Sequence, residues 1–260
     1  MTTGTEINAG LFSRVLTLAY GVVCYAIFFA TFLYAIGFIG NLVVPKTIDG
    51  APMVPMLLGL VINLVLLGIF AIQHSVMARP AFKRVWTKIV PEPVERSTYV
   101  LFSSAALIAL FWFWQPLGGV IWSVTNPIGV AVLYAGFAFG WGLVLVSTFL
   151  INHFDLFGLR QVWLYYRKRA YTEVNFVTPL PYRIVRHPLY VGWLFAFWCT
   201  PSMTATHLVF SVMTTAYILI AIQLEEHDLK AAHADYADYK RRVPMLIPGL
   251  IKRSSPEATT

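Results

Sequence analysis

Tyr182-Arg183-Ile184-Val185-Arg186-His187-Pro188-Leu189-Tyr190-Val191-Gly192 leads into an apolar run over 189–203. A second apolar run over 205–224 follows, and Glu225-Glu226-His227-Asp228 comes directly after it. Pro201 and the stretch 202–207 mark a turn between the two runs. The pattern predicts a helical hairpin with charged residues at its two ends. Its first arm is short: about 15 residues at 1.5 Å each give roughly 22 Å against a hydrocarbon core of about 30 Å, so this arm is expected not quite to cross. Charges placed this way either anchor the chain in lipid headgroups or form a site at the membrane's edge.

Four more apolar runs lie upstream, at about 15–40, 54–74, 98–115 and 127–152. The chain is 58% hydrophobic and 12% charged, whereas a soluble domain carries about 25% charged residues. The fold class read from this is all-α: a polytopic transmembrane helical bundle of about six membrane segments. The last two form the hairpin, and a C-terminal surface helix follows on the cytosolic side. One domain is expected over 1–260, with four transmembrane helices in 1–152 and a loop, hairpin and tail in 153–248. The first run is longer than a signal-peptide core and is expected to be retained as a helix. Cys24 and Cys199 fall within apolar runs and read as buried small hydrophobes rather than a disulfide.

Lysine and arginine set the orientation. Seventeen of the 19 fall in the second loop, the fourth loop and the C-terminal tail, which six segments place on one side. The positive-inside rule makes that side cytoplasmic, with both termini inside. This accounts for the net charge of +7 without nucleic acid; a basic face meeting anionic lipid suffices.

The same topology brings four polar clusters to one level: Gln73-His74-Ser75, Asn152-His153-Phe154-Asp155, Arg186-His187 and Glu225-Glu226. Anchoring calls for Lys and Arg, not for His and Glu. Pro188 suits the first turn of a helix, which sets Arg186 and His187 beside its positive end, where an anion can be held. A zwitterionic ligand fits: Arg186 for a carboxylate, Glu225 or Glu226 for an ammonium, and Tyr or Trp faces for a cation such as a sulfonium. In the tail, Leu229, Ala232, Tyr236 and Tyr239 recur every three or four residues, as on one helix face; His233 lies among them. This helix is expected along the membrane surface, over the site. The plain alternatives are interfacial anchors for Arg183 and Arg186, a solvated helix end for Glu225-Glu226, belt tyrosines for Tyr236 and Tyr239, and satisfied helix-end histidines for His74 and His153.

At these residues the chain resembles the membrane methyltransferases related to isoprenylcysteine carboxyl methyltransferase. The resemblance rests on Arg186-His187-Pro188-Leu189-Tyr190-Val191-Gly192, Glu225-Glu226, Tyr236-x-x-Tyr239 and Val243-Pro244. Ala232-His233-Ala234 departs from it, standing where relatives often have Phe-Gly. The front half is similar to the bacterial methanethiol S-methyltransferase family, through Gln73-His74-Ser75, Arg79-Pro80, Glu95-Arg96-Ser97 and the stretch 152–161. NnrU-like membrane proteins share part of the His74-Ser75 region. The resemblance implies a bacterial inner-membrane enzyme that uses S-adenosylmethionine to methylate methanethiol to dimethyl sulfide. By motif, it implies that Arg186, His187, Tyr190, Gly192, Glu225, Glu226, Tyr236 and Tyr239 line the cofactor site. Gly192 could contact ligand or allow close helix packing.

A thiol must lose its proton to attack, and a free small thiol, like cysteine with pKa about 8.5, is mostly protonated at neutral pH. His153 with Asp155 is the expected general-base pair, with His74 as the alternative base. No compact spacing demands a metal. Three rival readings stand beside this one: a prenylcysteine carboxyl or lipid amine as acceptor, haem or metal held by His74 and His153, and an NnrU-like protein without catalysis.

Overall fold

The computed structural model describes residues 9–172, 177–232 and 235–249. Helices α1 (Leu11–Gly40), α2 (Met56–Ala78), α4 (Glu92–Phe113) and α5 (Pro127–Ile151) are the four upstream runs, the first three somewhat longer than their apolar parts. Between α2 and α4 lies the short α3 (Pro80–Trp86). Arg79 is extended (ψ 138°) because Pro80 follows it, so α2 ends there and Pro80 starts α3. The fourth loop folds into α6 (His153–Leu156), α7 (Leu159–Tyr166) and α8 (Leu180–Ile184). The hairpin is α9 (Pro188–Trp198) and α10 (Ala205–Ala232), and α11 (Tyr236–Arg242) completes the described chain.

Five helices, α1, α2, α4, α5 and α10, are long and apolar enough to cross a membrane. The sixth segment, α9, has 11 residues, about 16 Å at 1.5 Å per residue. The chain still gains the far face, because it leaves α9 and becomes β2 (Ser202–Thr204). This strand pairs antiparallel with β1 (Val120–Ser123), the connection between α4 and α5. Val124 N–H donates to Pro201 O at 2.8 Å, and Ala205 N–H to Gly119 O at 2.9 Å. A two-stranded clip thus fastens the hairpin tip.

The expected single surface helix after the hairpin is corrected. Leu229 and Ala232 continue α10, whereas Tyr236 and Tyr239 stand on α11. His233, part of the expected helix, lies outside the described residues. Cys24 and Cys199 are free thiols.

The core follows from aromatic packing between spans. Phe38, Phe111, Trp114 and Phe210 are buried together, with rings meeting at centroid separations of 4.8–6.3 Å. α9 lies along α5, where Gly140 and Gly192 bring the two backbones into contact. α7 comes down on α4 at Gly158, which has a left-handed φ of +88°; a Cβ there would lie 2.6 Å from Ser97 Oγ. The positive φ and the close approach both require glycine.

Candidate functional site

The Arg-His-Pro stretch folds as its composition dictates. Val185 is extended, His187 caps α9 and Pro188 occupies the first turn. The amides of Arg186 and His187 therefore point outward, and the tail takes both: they donate to Pro244 O at 2.8 Å and Met245 O at 3.3 Å. Across from them, α10 presents Glu226. Arg186 Nε donates to Glu226 Oε1 at 2.8 Å, and His187 Nε2 lies 3.1 Å from the same oxygen. Lys240, on α11, pairs with Oε2. Arg186 also donates from one terminal nitrogen to Lys240 O at 3.2 Å and to Val243 O. The Arg186 and Glu226 side chains are 8% and 3% exposed. Charges so deep persist only when paired and hydrogen-bonded, and this cluster meets that condition internally.

This arrangement changes the expected division of labour. Arg186 and Glu226 hold each other and fasten the tail to the hairpin. Glu225 is the more open acid, its side chain 44% exposed. It accepts a hydrogen bond from Tyr190 OH at 3.0 Å and has His187 Nδ1 at 3.8 Å. Tyr236 and Tyr239 are buried on α11 with rings 5.7 Å apart, and Tyr239 OH donates to Tyr182 O at 2.6 Å. Burial pushes the Tyr239 phenol up to about 12, so it stays a neutral donor. Gly192 stands apart from these groups: a Cβ there would meet Gly140 O and Val144 N, both at 2.8 Å. Of the two roles open to this glycine, the geometry supplies helix packing.

A second cluster lies between α2, α4 and α10. His74 Nδ1 is 3.0 Å from Tyr99 OH and 3.3 Å from Ser103 Oγ. Tyr99 OH is also 3.2 Å from Nε2, so it faces the ring edge between the two nitrogens. Phe70 stacks on the imidazole at 5.2 Å. Next along α2, Ser75 Oγ is 3.0 Å from Tyr217 OH on α10. Arg96 sits 5.1 Å over the Tyr99 ring, anchored by an Nε donation to Leu156 O at 2.9 Å. Arg79 pairs with Asp228 at 2.8 Å and donates to Ser75 O at 3.3 Å. Tyr190 is within electrostatic reach of both Tyr217 and Tyr99. It therefore joins this hydroxyl-rich cluster to the charge cluster through its bond to Glu225.

The structure does not bring His153 and Asp155 together. His153 is 2% exposed. One ring nitrogen meets Tyr25 OH at 2.8 Å, the other Thr148 Oγ1 at 2.8 Å, and Phe149 stacks on the ring at 4.1 Å. Burial lowers its pKa. Asp155 instead pairs with Arg160 at 2.9 Å and accepts from Tyr171 OH at 3.2 Å. Residues two apart on a helix do not share a face, which is the reason the expected dyad does not form. The same partners disfavour a haem bridge between His74 and His153, since both nitrogens of His153 are engaged. Among the described residues no three His, Cys, Asp or Glu side chains converge to hold a metal ion.

Sequence reasoning passed over Tyr99, Ser103, Tyr217 and Lys240 as site residues. Tyr99 and Ser103 were hidden inside an apolar run. A signal for the pair was available, since residues four apart share a helix face.

These features define a class: a polytopic membrane protein with a two-part polar centre at the end of the bundle that carries most of the basic residues. One part is ionic and pinned by the tail; the other is built of imidazole and hydroxyls. No family model matches the chain, and no solved structure matches it. Curated relatives do. The chain is 57% identical over 243 residues to methanethiol S-methyltransferase of Crocosphaera subtropica, covering 93% of this chain and 95% of that one. It is 55% identical over 236 residues to methanethiol S-methyltransferase of Mycobacterium tuberculosis, covering 90% and 97%. A more distant similarity, 30% over 178 residues, runs to Nurim of Rattus norvegicus, covering 65% and 67%. The chain belongs to the methanethiol S-methyltransferase family.

Proposed function

We propose that this protein transfers the methyl group of S-adenosylmethionine to the sulfur of methanethiol, giving dimethyl sulfide, at the cytoplasmic edge of the bacterial inner membrane. Family membership supports the reaction. The observations that carry the site are the open Glu225 carboxylate held by Tyr190 and the His74 imidazole held by hydroxyls.

The cofactor half is the group of His187, Tyr190, Glu225, Tyr236 and Tyr239, with the Arg186–Glu226–Lys240 cluster as its frame. The residues suit such a ligand: Glu225 offers an open carboxylate to an ammonium, and phenol faces attract a sulfonium. When bound, S-adenosylmethionine supplies an activated methyl group. In the acceptor half, His74 takes the thiol proton. His74 is partly exposed, its nitrogens face hydroxyls, and it borders Tyr190's neighbours. His153, fully buried between Tyr25 and Thr148, holds α5 to α1 instead. Phe70 and Tyr99 flank the imidazole, and Tyr217 packs on Phe70, which suits a small acceptor. Loss of the S–H proton to His74 leaves a thiolate whose electron pair forms the new S–C bond. The pair of the broken C–S bond returns to the cofactor's sulfur. One proton is released overall.

Headspace gas chromatography of membranes given methanethiol and S-adenosylmethionine tests this. Dimethyl sulfide should form, and His74→Ala should lower it by about 100-fold or more. Glu225→Gln should weaken cofactor binding. His153→Gln should retain turnover in proportion to folded protein. No dimethyl sulfide from the wild type would overturn the reaction, and full activity in His74→Ala would overturn the base.

A further inference from the structure

We infer that Tyr99 is a positioning residue for the base: its hydroxyl fixes the His74 imidazole, and Arg96 fixes Tyr99. This rests on the reaction proposed above and adds to it a residue that the motifs did not single out.

The geometry is specific. Tyr99 is 7% exposed, on the buried face of α4 with Val100, Ser103 and Ser104. Its hydroxyl lies within 3.2 Å of both imidazole nitrogens and 3.4 Å from the backbone oxygen of His74. Ser103, one turn along α4, meets Nδ1 alone at 3.3 Å. Two hydroxyls from α4 therefore grip one ring from α2, while Phe70 covers its face. A carboxylate partner would hold a proton on the imidazole; here the partners are neutral hydroxyls. Among the described residues, the charged or titratable groups of this region come from four elements. Tyr99 and Arg96 come from α4, Tyr217 from α10, Arg79 from the bend after α2, and Tyr190 with Glu225 from the hairpin. Of these, Glu225 is the carboxylate, and Tyr190 OH holds it at 3.0 Å. Arg79 is neutralised by Asp228 at 2.8 Å. Arg96 spends an N–H on a carbonyl, Leu156 O, and so keeps its charge beside the Tyr99 ring.

Such an arrangement keeps the imidazole neutral and ready to accept a proton, while hydroxyl rotation lets either nitrogen find a partner. When His74 gains the thiol proton on one nitrogen, the hydroxyl of Tyr99 can accept from the other. The tyrosine remains neutral throughout and touches the imidazole rather than the sulfur. It is a positioning residue by this criterion.

The test is Tyr99→Phe, which removes one oxygen from a buried site and keeps the ring under Arg96. In membranes supplied with methanethiol and S-adenosylmethionine, kcat at pH 7 should fall about tenfold or more, with KM for S-adenosylmethionine unchanged. The gap to wild type should narrow toward about pH 9.5, where solvent supplies thiolate ready-made. In a His74→Ala background, Tyr99→Phe should cost nothing further. A deficit that is constant across pH, or that persists without His74, would assign Tyr99 a merely structural role and overturn the inference. So would full activity at pH 7. If Tyr99→Phe fails to fold, Ser103→Ala, which removes the other hydroxyl on Nδ1, should show a smaller deficit with the same pH trend; a pH-independent deficit there would equally refute the idea. Absence of dimethyl sulfide from the wild type would instead refute the reaction itself.

Discussion

Gly192 offers a sharp choice between packing and ligand contact. It belongs to the Arg186–Gly192 motif that implied a cofactor site, yet its missing side chain faces α5. A Cβ at 192 would lie 2.8 Å from Gly140 O, 2.8 Å from Val144 N and 2.9 Å from Val144 Cγ2. Two of these atoms are backbone and cannot turn aside, so α9 and α5 must part by roughly half an ångström to restore ordinary contact. Overpacking of this kind costs about 1–3 kcal/mol. In a chain this size that is about 2–12 °C in Tm at roughly 2–4 °C per kcal/mol. Gly140→Ala should do at least as much harm, since its Cβ would meet Ala196 N at 2.5 Å and Gly192 O at 2.7 Å. Gly142 is the control on the same helix: nothing lies within 4 Å of a Cβ there, so Gly142→Ala should be neutral or gain up to about 1 kcal/mol of helix propensity. Thermal unfolding in detergent, followed by tryptophan fluorescence, would rank the three. Tyr190 stands two residues before Gly192, so parting of the helices also strains its 3.0 Å bond to Glu225 and activity should fall in both destabilised variants. If Gly192→Ala melts like wild type while losing cofactor affinity, and Gly140→Ala is silent, the packing argument is wrong and the glycine serves the ligand.

Two further outcomes follow from the buried polar groups. Glu226→Gln leaves Arg186 buried without its counter-charge, and removal of one partner from such a pair costs about 3–5 kcal/mol; Lys240→Met should cost under about 1 kcal/mol because that lysine is 34% exposed. Both are read by the same unfolding assay, and equal losses would refute the assignment of Glu226 to the frame. His153 gives an acid limb: burial lowers its folded pKa below the unfolded value of about 6.5, so the unfolded state binds more protons and stability falls as pH drops below that value. His153→Gln should flatten this limb between about pH 6.5 and 5, and an unchanged slope would show that another group sets it.

The spans, the hairpin and the concentration of charge at one end of the bundle were legible in the sequence because each depends on local quantities. Apolar length, Pro188 at a helix start and the turn at Pro201 need no knowledge of neighbours. Partner choice was not legible. Glu226 finds Lys240 only because α11 turns back after α10 ends, and nothing in the periodicity of 229–239 marks that break. Gly192 meets Gly140 through a helix crossing whose rotation the apolar runs leave undetermined. The His153–Asp155 pairing failed on a rule that was available: i and i+2 diverge on a helix, and α6 is helical. His74 and Tyr99 lie 25 residues apart on two spans, and only the packing of α2 on α4 sets them face to face.

The unequal chemistry of the two halves has an electrostatic logic. In the proposed reaction a cationic sulfonium and an anionic thiolate meet, so each needs surroundings of opposite sign, a few ångströms apart. Glu225 lies on the cofactor side, turned toward Tyr190. On the proposed acceptor side, Arg96 spends its hydrogen bond on a carbonyl and keeps its charge, whereas Arg79 is paired with Asp228 and Arg160 with Asp155. For a thiolate within about 7 Å of that guanidinium, the attraction is about 2 kcal/mol at an effective dielectric of 20. That corresponds to about 1.5 units of thiol pKa, enough to raise the thiolate-to-thiol ratio at neutral pH about 30-fold before the base acts. A carboxylate beside His74 would stabilise the imidazolium but cancel this field. Hydroxyls orient the ring and leave the field standing, which is a physical reason for Tyr99 and Ser103, rather than a carboxylate, to flank His74.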